Sequence, residues 1–337
     1  MADLPWFALL AVAALAVVMV VAAGTVLAKV GDDLAERTGI GRLYVGALLV
    51  AVATSLPELA TDITAAASDA PDLAIGDLFG SSMANMAILA IVDLRHRGRV
   101  LPRVELGHTR VAAVAIGLTA LAVMDISTAP GIDIFHVGIA PIGIMCGYLA
   151  ALAWFRRVPP IGVAKADPTP FRRPPSGDRW LGTKPMLIRF AAAATVLLVA
   201  APALTFSAEE IAVRTGVSQS FLGVTLLAVS TSLPELAASL AAVRLGAFDL
   251  ALGNLLGSNA VNMAMIVFID AAYRPGPILA AVDSTSVVAG TGAILLMSLA
   301  LASIVSGKAN RAQRLEPDSF VLLVAYVGAV AAVALAV

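Results

Sequence analysis

The chain has 337 residues, of which 60% are hydrophobic and only 13% are charged, and its formal net charge is −1. A soluble globular domain carries about 25% charged residues, so this composition excludes a soluble fold. Apolar residues run in blocks of about 20, the length needed to cross a hydrocarbon core about 30 Å thick. We therefore expect an integral membrane protein with the lipid bilayer as its surroundings. No nucleic-acid partner or obligatory protein partner is indicated.

Ten membrane-spanning helices are predicted in chain order. They cover residues 6–28, 43–67, 71–93, 109–126, 136–155, 185–206, 221–244, 247–270, 283–304 and 318–337. A proline-rich and basic stretch, 156–184, separates the first five spans from the last five. The predicted fold is all-α, with a first five-helix unit in 1–155, a connecting loop, and a second five-helix unit in 185–337.

The basic residues predict the orientation of these spans. If the ten spans alternate, 20 of the 22 lysines and arginines fall in or beside the connections after spans 1, 3, 5, 7 and 9, and only Arg214 and Arg274 fall on the other side. Basic connections stay in the cytoplasm. We therefore expect a plasma (inner) membrane protein with a cytoplasmic 156–184 loop and both termini outside.

An internal repeat relates the two halves. Residues 44–93 and 221–270 align without a gap at an offset of 177, with 24 identities in 50 positions, including an unbroken TSLPELA. Each half holds an odd number of predicted spans, so the two repeats would have opposite orientations. Inverted repeats with interrupted helices are typical of secondary transporters, whose substrates bind where the repeats meet.

A proline followed by a glutamate recurs inside a span of each repeat, as Pro57-Glu58 and Pro234-Glu235. Proline lacks an N–H and clashes with the carbonyl four residues earlier, so a break or kink is expected there. Placing a carboxylate in the middle of a membrane span costs at least about 2.5–3.5 kcal/mol of insertion free energy, so by default it faces a cavity or a partner. No lysine or arginine lies mid-span nearby, so protons or bound cations must neutralise the two glutamates. Carboxylate, hydroxyl and carbonyl oxygens suit Ca²⁺.

A second pair of motifs, GDLFGSSMAN at 76–85 and GNLLGSNAVN at 253–262, follows in the next span of each repeat. Their glycines would let backbones approach closely. Polar residues recur every four positions, which places them on one helix face. These residues are Asp77, Ser81, Asn85, Asn254, Ser258 and Asn262. We expect this polar face to point at the same cavity as the glutamates. Asp62, one turn after Glu58, either lines an approach path or bonds to a neighbouring helix.

At these motifs the chain resembles the sodium/calcium exchangers of the cation/calcium exchanger superfamily, whose alpha repeats read G-T-S-L-P-E and then G-N-x-x-G-S-N. The resemblance implies interrupted helices 2, 3, 7 and 8 around a central cation site, and Ca²⁺ exchanged for Na⁺ by alternating access without a cofactor. It also implies site residues. Glu58 and Glu235 would ligate Ca²⁺, and Thr54 and Thr231 would offer backbone carbonyls. The flanking sodium sites would be formed by Ser55, Ser81, Ser232 and Ser258. The central amide position would be occupied by Asn85 and Asn262.

The motif departs from the family pattern at Asp77 and Ser82, where the family usually has asparagine, and position 262 holds Asn where some members have Asp. If Asp77 faces the cavity, a third carboxylate lies near Glu58 and Glu235. Like charges close together disfavour full ionisation, so we expect protons to compete with the driving cation. Asp77→Asn should then weaken the pH dependence of transport.

Three other functions remain open from the residues alone. Buried carboxylates carry H⁺ as readily as Na⁺, so a proton-driven exchanger of Ca²⁺ or another divalent cation is the nearest alternative. An intramembrane enzyme is remote, because neither Ser55 nor Ser81 has a histidine or lysine placed to activate it. A channel is disfavoured because inverted repeats favour alternating access.

The predicted orientation can be tested by labelling introduced cysteines in a variant that lacks Cys146. A cysteine at Gly177 should react with an impermeant reagent only from the cytoplasm, and a cysteine at Ser127 only from outside. The reverse pattern, or equal reaction from both sides, would contradict the five-plus-five arrangement.

Overall fold

The computed structural model describes residues 4–96, 100, 106–157, 182–215, 228–306 and 317–336. The helices are α1 (Trp6–Thr38), α2 (Arg42–Tyr44), α3 (Ala51–Ala67), α4 (Pro71–Arg95), α5 (His108–Thr128), α6 (Ile139–Arg157), α7 (Thr183–Thr215), α8 (Ala228–Thr231), α9 (Leu233–Arg244), α10 (Phe248–Ala272), α11 (Ile278–Ala281), α12 (Ser284–Ser306) and α13 (Pro317–Ala336). A π-helical segment, Val45–Val50, joins α2 to α3. The antiparallel strands β1 (Asp133–Ile134) and β2 (Val137–Gly138) lie between α5 and α6.

Eight helices in the described part of the chain are long and apolar enough to cross a membrane. The other two predicted spans are also represented by helices. The predicted span 136–155 is a shorter apolar helix, Ile139–Phe155, and the span 221–244 is described only from residue 228, as α8 and α9. The prediction of a multi-pass helical membrane protein is therefore confirmed, whereas the count of ten spans stays a prediction.

Helices α1 and α7 are the longest, with 33 residues each. At 1.5 Å per residue each is about 50 Å long, well beyond the thickness of the hydrocarbon core, and the two helices pack against each other. α1 extends to Thr38, ten residues beyond the predicted end at Ala28, because the backbone hydrogen bonds of the helix continue through the charged segment that follows. It ends at Gly39, whose φ of +68° is left-handed and whose N–H donates to the carbonyl of Ala35. Glycine adopts this conformation without strain.

The four predicted helix interruptions are only partly present. The seventh span is broken at Ser232, between α8 and α9, two residues before Pro234. In the second span, α3 runs unbroken through Pro57, and the irregularity is the π-helical segment that precedes it. The prediction of interrupted helices 3 and 8 was wrong, because α4 and α10 are each continuous over 25 residues. Their motifs contain glycine, which keeps the N–H that proline lacks, so the helical hydrogen bonds continue.

Backbone-to-backbone packing brings α10 against the π-helical segment, at the centre of the molecule. A Cβ added to Gly257 would lie 2.5 Å from Ala47 Cα, and one added to Gly253 would lie 2.7 Å from the carbonyl oxygen of Leu43. Any side chain at these two positions would push the helices apart. The prediction that the motif glycines permit close approach is therefore confirmed for Gly253 and Gly257, whereas it was wrong for Gly76, where no described atom lies within 4 Å of an added Cβ.

Two buried aspartates at equivalent positions of the repeats hold the ends of α4 and α10. Asp93 accepts hydrogen bonds from the Val100 N–H (2.9 Å) and the Ser319 hydroxyl (2.6 Å). Asp270 accepts from the N–H groups of Gly138 and Ile278, both at 2.6 Å. Each side chain therefore ties the end of its helix to two other segments of the chain.

We expect Gly257→Ala to destabilise the protein by about 1–3 kcal/mol, the usual effect of adding a methyl group to a filled interior. The measurement is the melting temperature of the purified protein in detergent. Gly117→Ala is the matched control, since it also lies within a helix and no described atom is within 4 Å of its added Cβ. Equal melting temperatures for the two variants would contradict the close contact between α10 and Ala47.

Candidate cation site

The two motif glutamates lie buried in different helices. Glu58 is on α3 and Glu235 is in the first turn of α9, and their side chains are 1% and 0% exposed. Each follows its proline directly, but only Glu235 lies beside a helix break, because α3 is continuous through Pro57. Two carboxylates are thus removed from water inside a helical membrane protein.

Serine hydroxyls connect the glutamates to the surrounding helices. Ser81 on α4 donates to Glu58 Oε1 at 2.5 Å, and Ser55 on α3 lies 3.5 Å from Glu235 Oε1. Ser81 and Ser232 hydroxyls are 3.2 Å apart. The five side chains in these contacts come from both repeats. Ser258 is also buried, and its hydroxyl has no hydrogen-bond partner.

The two threonines make a matched pair of contacts across the repeats. Thr54 donates to Asn254 Oδ1 at 3.2 Å, and Thr231 donates to Asp77 Oδ1 at 3.2 Å. Since 54 and 231, and 77 and 254, are equivalent positions, each contact is the counterpart of the other. In both contacts the threonine hydroxyl bonds the polar residue of the opposite repeat.

An amide network closes the other side of the site. Asn85 Nδ2 donates to Asn259 Oδ1 at 2.8 Å, and Asn259 Nδ2 donates to the carbonyl of Ser82 at 3.2 Å. Asn262 Nδ2 lies 3.5 Å from the Ser81 hydroxyl. Asn259, which aligns with Ser82, was not among the predicted site residues. Asn259 lies in the same motif as Asn262, inside a predicted span, and this was the sequence signal that could have identified it as a site residue.

Most of the buried polar side-chain atoms that lack a partner belong to this region. Among the described residues, eight buried side-chain oxygen or nitrogen atoms have no hydrogen bond, and seven of them are oxygens of the two aligned repeats. The seven oxygens are Glu58 Oε2, Glu235 Oε2, Asp62 Oδ2, Asp77 Oδ2, Asn85 Oδ1, Asn262 Oδ1 and Ser258 Oγ. An unpartnered buried polar group costs about 1–3 kcal/mol, and a charged one costs more. The region is therefore short of positive charge and hydrogen-bond donors.

No lysine, arginine or histidine compensates either glutamate within the part of the chain that the structure describes, where the ion pairs involve other acids. That part also contains no cluster of three or more His, Cys, Asp or Glu that could hold a metal ion. A cation here would be held by two carboxylates together with hydroxyl and amide oxygens. Hard cations such as Ca²⁺ accept this mixture of ligands.

Asp77 is buried on α4. Its carboxyl contacts Thr231 and Asp62. Asp62 is itself only 1% exposed. Of the two roles left open for Asp62, contact with a neighbouring helix is therefore present.

A fold of membrane helices around buried, uncompensated oxygens defines a cation-transporting membrane protein, and comparison with known proteins gives the family. The family model for sodium/calcium exchanger protein matches residues 8–155 and 186–335. The chain therefore belongs to the sodium/calcium exchanger family, whose members are transporters.

Individual relatives cover the chain to different extents. The putative antiporter CaxA of Alkalimonas amylolytica is 31% identical over 88% of this chain and 89% of its own length. The sodium/calcium exchanger MaX1 of Methanosarcina acetivorans is 42% identical over 60 residues, which is 18% of this chain and 17% of the relative. A solved structure of the sodium-calcium exchanger NCX_Mj has the same fold, with a TM-score of 0.68, 19% identity, and coverage of 96% of this chain and 98% of that one.

We expect Glu58→Gln and Glu235→Gln each to reduce Ca²⁺ transport to the level of protein-free vesicles, because one carboxylate leaves a divalent cation under-neutralised. Both variants should still fold, since a neutral amide is cheaper to bury than a carboxylate. The measurement is ⁴⁵Ca²⁺ uptake into proteoliposomes. Glu36→Gln is the matched control, because this glutamate is 49% exposed on α1 and contacts Arg42. Substantial uptake by either buried-site variant would show that the cation site lies elsewhere.

Proposed function

We propose that this protein is a secondary active antiporter that exchanges Ca²⁺ for Na⁺ by alternating access, with both ions bound among the residues around Glu58 and Glu235. The observation that carries the proposal is the set of buried oxygens without partners at Glu58, Glu235, Ser258, Asn85 and Asn262. Ca²⁺ takes 6–8 oxygen ligands, including carboxylates and amide carbonyls, and the two glutamates would balance its charge.

Sodium coupling is the proposed driving force because the oxygens around the glutamates are mostly uncharged. Ser55, Ser81, Ser232 and Ser258 are all fully or almost fully buried, and hydroxyl oxygens suit a monovalent hard cation. Na⁺ ions and Ca²⁺ would compete for the same two carboxylates, so loading with one ion would displace the other. The relatives named sodium/calcium exchangers support the same assignment.

Proton coupling remains the second candidate, and a specific observation favours it. Asp62 and Asp77 add two buried carboxyls beside the site, and a proton could neutralise any of the four acids. An exchanger that used H⁺ would need no sodium gradient. The two candidates therefore differ in the gradient that drives Ca²⁺ uptake.

Alternating access would require the site to open to each side in turn. The two repeats meet at the glutamates and are joined across their boundary by the matched Thr54–Asn254 and Thr231–Asp77 contacts. Such paired contacts between repeats could be exchanged when one unit moves against the other. The proposed arrangement places both termini outside and the 156–184 loop in the cytoplasm.

Flux into proteoliposomes of defined internal composition tests the proposal. Vesicles loaded with Na⁺ and diluted into Na⁺-free Ca²⁺ medium at equal pH should take up ⁴⁵Ca²⁺, and dissipating the sodium gradient with an ionophore should stop uptake. Uptake driven by a pH gradient alone, without Na⁺, would replace sodium coupling by proton coupling. Uptake that needs no counter-ion gradient would indicate a channel. Vesicles with Glu235→Gln protein are the control for leakage.

A further inference from the structure

The two repeats differ chemically at one pair of contacting positions. In the second repeat, Asn254 Nδ2 donates to the Ser239 hydroxyl at 3.1 Å, so the two neutral side chains satisfy each other. The equivalent positions of the first repeat, 177 residues earlier, are Asp77 and Asp62. Their carboxyls also contact each other through a hydrogen bond, which requires one of them to hold a proton. The same location in the fold thus holds a self-satisfied neutral pair in one half and, in the other half, an acidic pair that needs a proton or a cation between its carboxylates.

The acidic pair is enclosed and incomplete. Asp62 is 1% exposed and Asp77 is 5% exposed, and the Oδ2 atom of each is buried without a hydrogen-bond partner. Thr231 donates to the other oxygen of Asp77. The other acids that act on Asp62 are carboxylates as well, with Glu58 among them. Nothing in the described surroundings of Asp62 supplies positive charge, so the pair lacks a cation rather than a further acceptor.

We propose that Asp62 and Asp77, with the Thr231 hydroxyl, form a second divalent-cation site, next to the site of Glu58 and Glu235. This inference rests on the proposed exchange function, because the ion that it binds is the transported one. Two carboxylates balance one divalent cation, whereas one monovalent cation would leave a buried negative charge. Carboxylate and hydroxyl oxygens select hard cations such as Ca²⁺, Mg²⁺ and Mn²⁺.

The position of the second site implies that it is a transit site. Asp62 is four residues after Glu58 on α3, about 6 Å along the helix axis at 1.5 Å per residue, toward the turn that leads to α4. Two divalent cations at that separation in a poorly hydrated interior repel strongly. The two sites are therefore occupied in turn, and a cation passes between Glu58 and Asp62 on its way toward the α3–α4 turn. The second repeat has no such step, because Ser239 and Asn254 carry no charge.

Binding of Mn²⁺ to the purified protein in detergent tests the second site separately from transport. Free Mn²⁺ is counted by its electron paramagnetic resonance signal, at a Mn²⁺ concentration that saturates the wild type. The Glu58→Gln/Glu235→Gln variant should still bind one Mn²⁺ per chain. Adding Asp62→Asn to that variant should remove it, with at least a tenfold loss of affinity. Asp93→Asn in the same background is the matched control, because Asp93 is a buried aspartate with its own donors and should leave binding unchanged.

The outcomes separate the second site from the proposed exchange. If the Glu58→Gln/Glu235→Gln variant binds no Mn²⁺ while the wild type binds one, the acidic pair holds a shared proton instead and the inference is overturned. If Mn²⁺ remains bound after Asp62→Asn, the inference is overturned as well. If binding follows the prediction but the wild type shows no sodium-driven Ca²⁺ uptake, the exchange proposal fails and the site stands. Should the Asp62→Asn combination not fold, Asp62→Ser, which copies Ser239, makes the same test.

Discussion

The structure depends on one electrostatic constraint, which is that buried carboxylates in a membrane protein need positive charge. Glu58 and Glu235 are both buried, and an isolated ionised group in a low-dielectric interior is strongly disfavoured. Proteins usually resolve this by pairing acids with arginine or lysine. Here the described surroundings offer hydroxyls and amides instead, which orient the carboxylates without neutralising them. In the proposed function, ions that enter and leave the site supply the missing positive charge.

The small residues and the anchored helix ends serve this arrangement. Gly253 and Gly257 allow α10 to touch the backbone of the segment before α3, which brings the polar faces of the two repeats together. Asp93 and Asp270 use all their carboxylate oxygens on nearby donors. Buried acids of the same chain thus divide into two groups. Those at the helix ends are satisfied by the protein, and those at the centre are not.

The sequence was sufficient to predict which residues meet, but not how their helices are built. The matched TSLPELA segments and the four-residue polar spacing led to Glu58, Glu235, Ser81 and Asn262. An unneutralised acid inside a span is expected to face a cavity or a polar partner. The family pattern of interrupted helices did not transfer to α4 and α10, since glycine permits a break without requiring one. The sequence also could not predict which side chains form hydrogen bonds with each other. Spacing places Asn259 on a helix but cannot show that it bonds across to Asn85.

The cross-repeat contacts have a consequence for how such a chain can change over evolutionary time. Thr54 contacts Asn254, and Thr231 contacts Asp77, so a substitution at position 77 or 254 changes a contact with the opposite half as well as one within its own half. Apart from Asp93 and Asp270 at the helix ends, the first repeat supplies three buried acids, Glu58, Asp62 and Asp77, while the second supplies Glu235. A protein made of two first repeats would therefore place six carboxyls in the central region, and one made of two second repeats only two. The residues at two pairs of equivalent positions, 62 with 239 and 77 with 254, therefore determine how many carboxyl groups the central region contains.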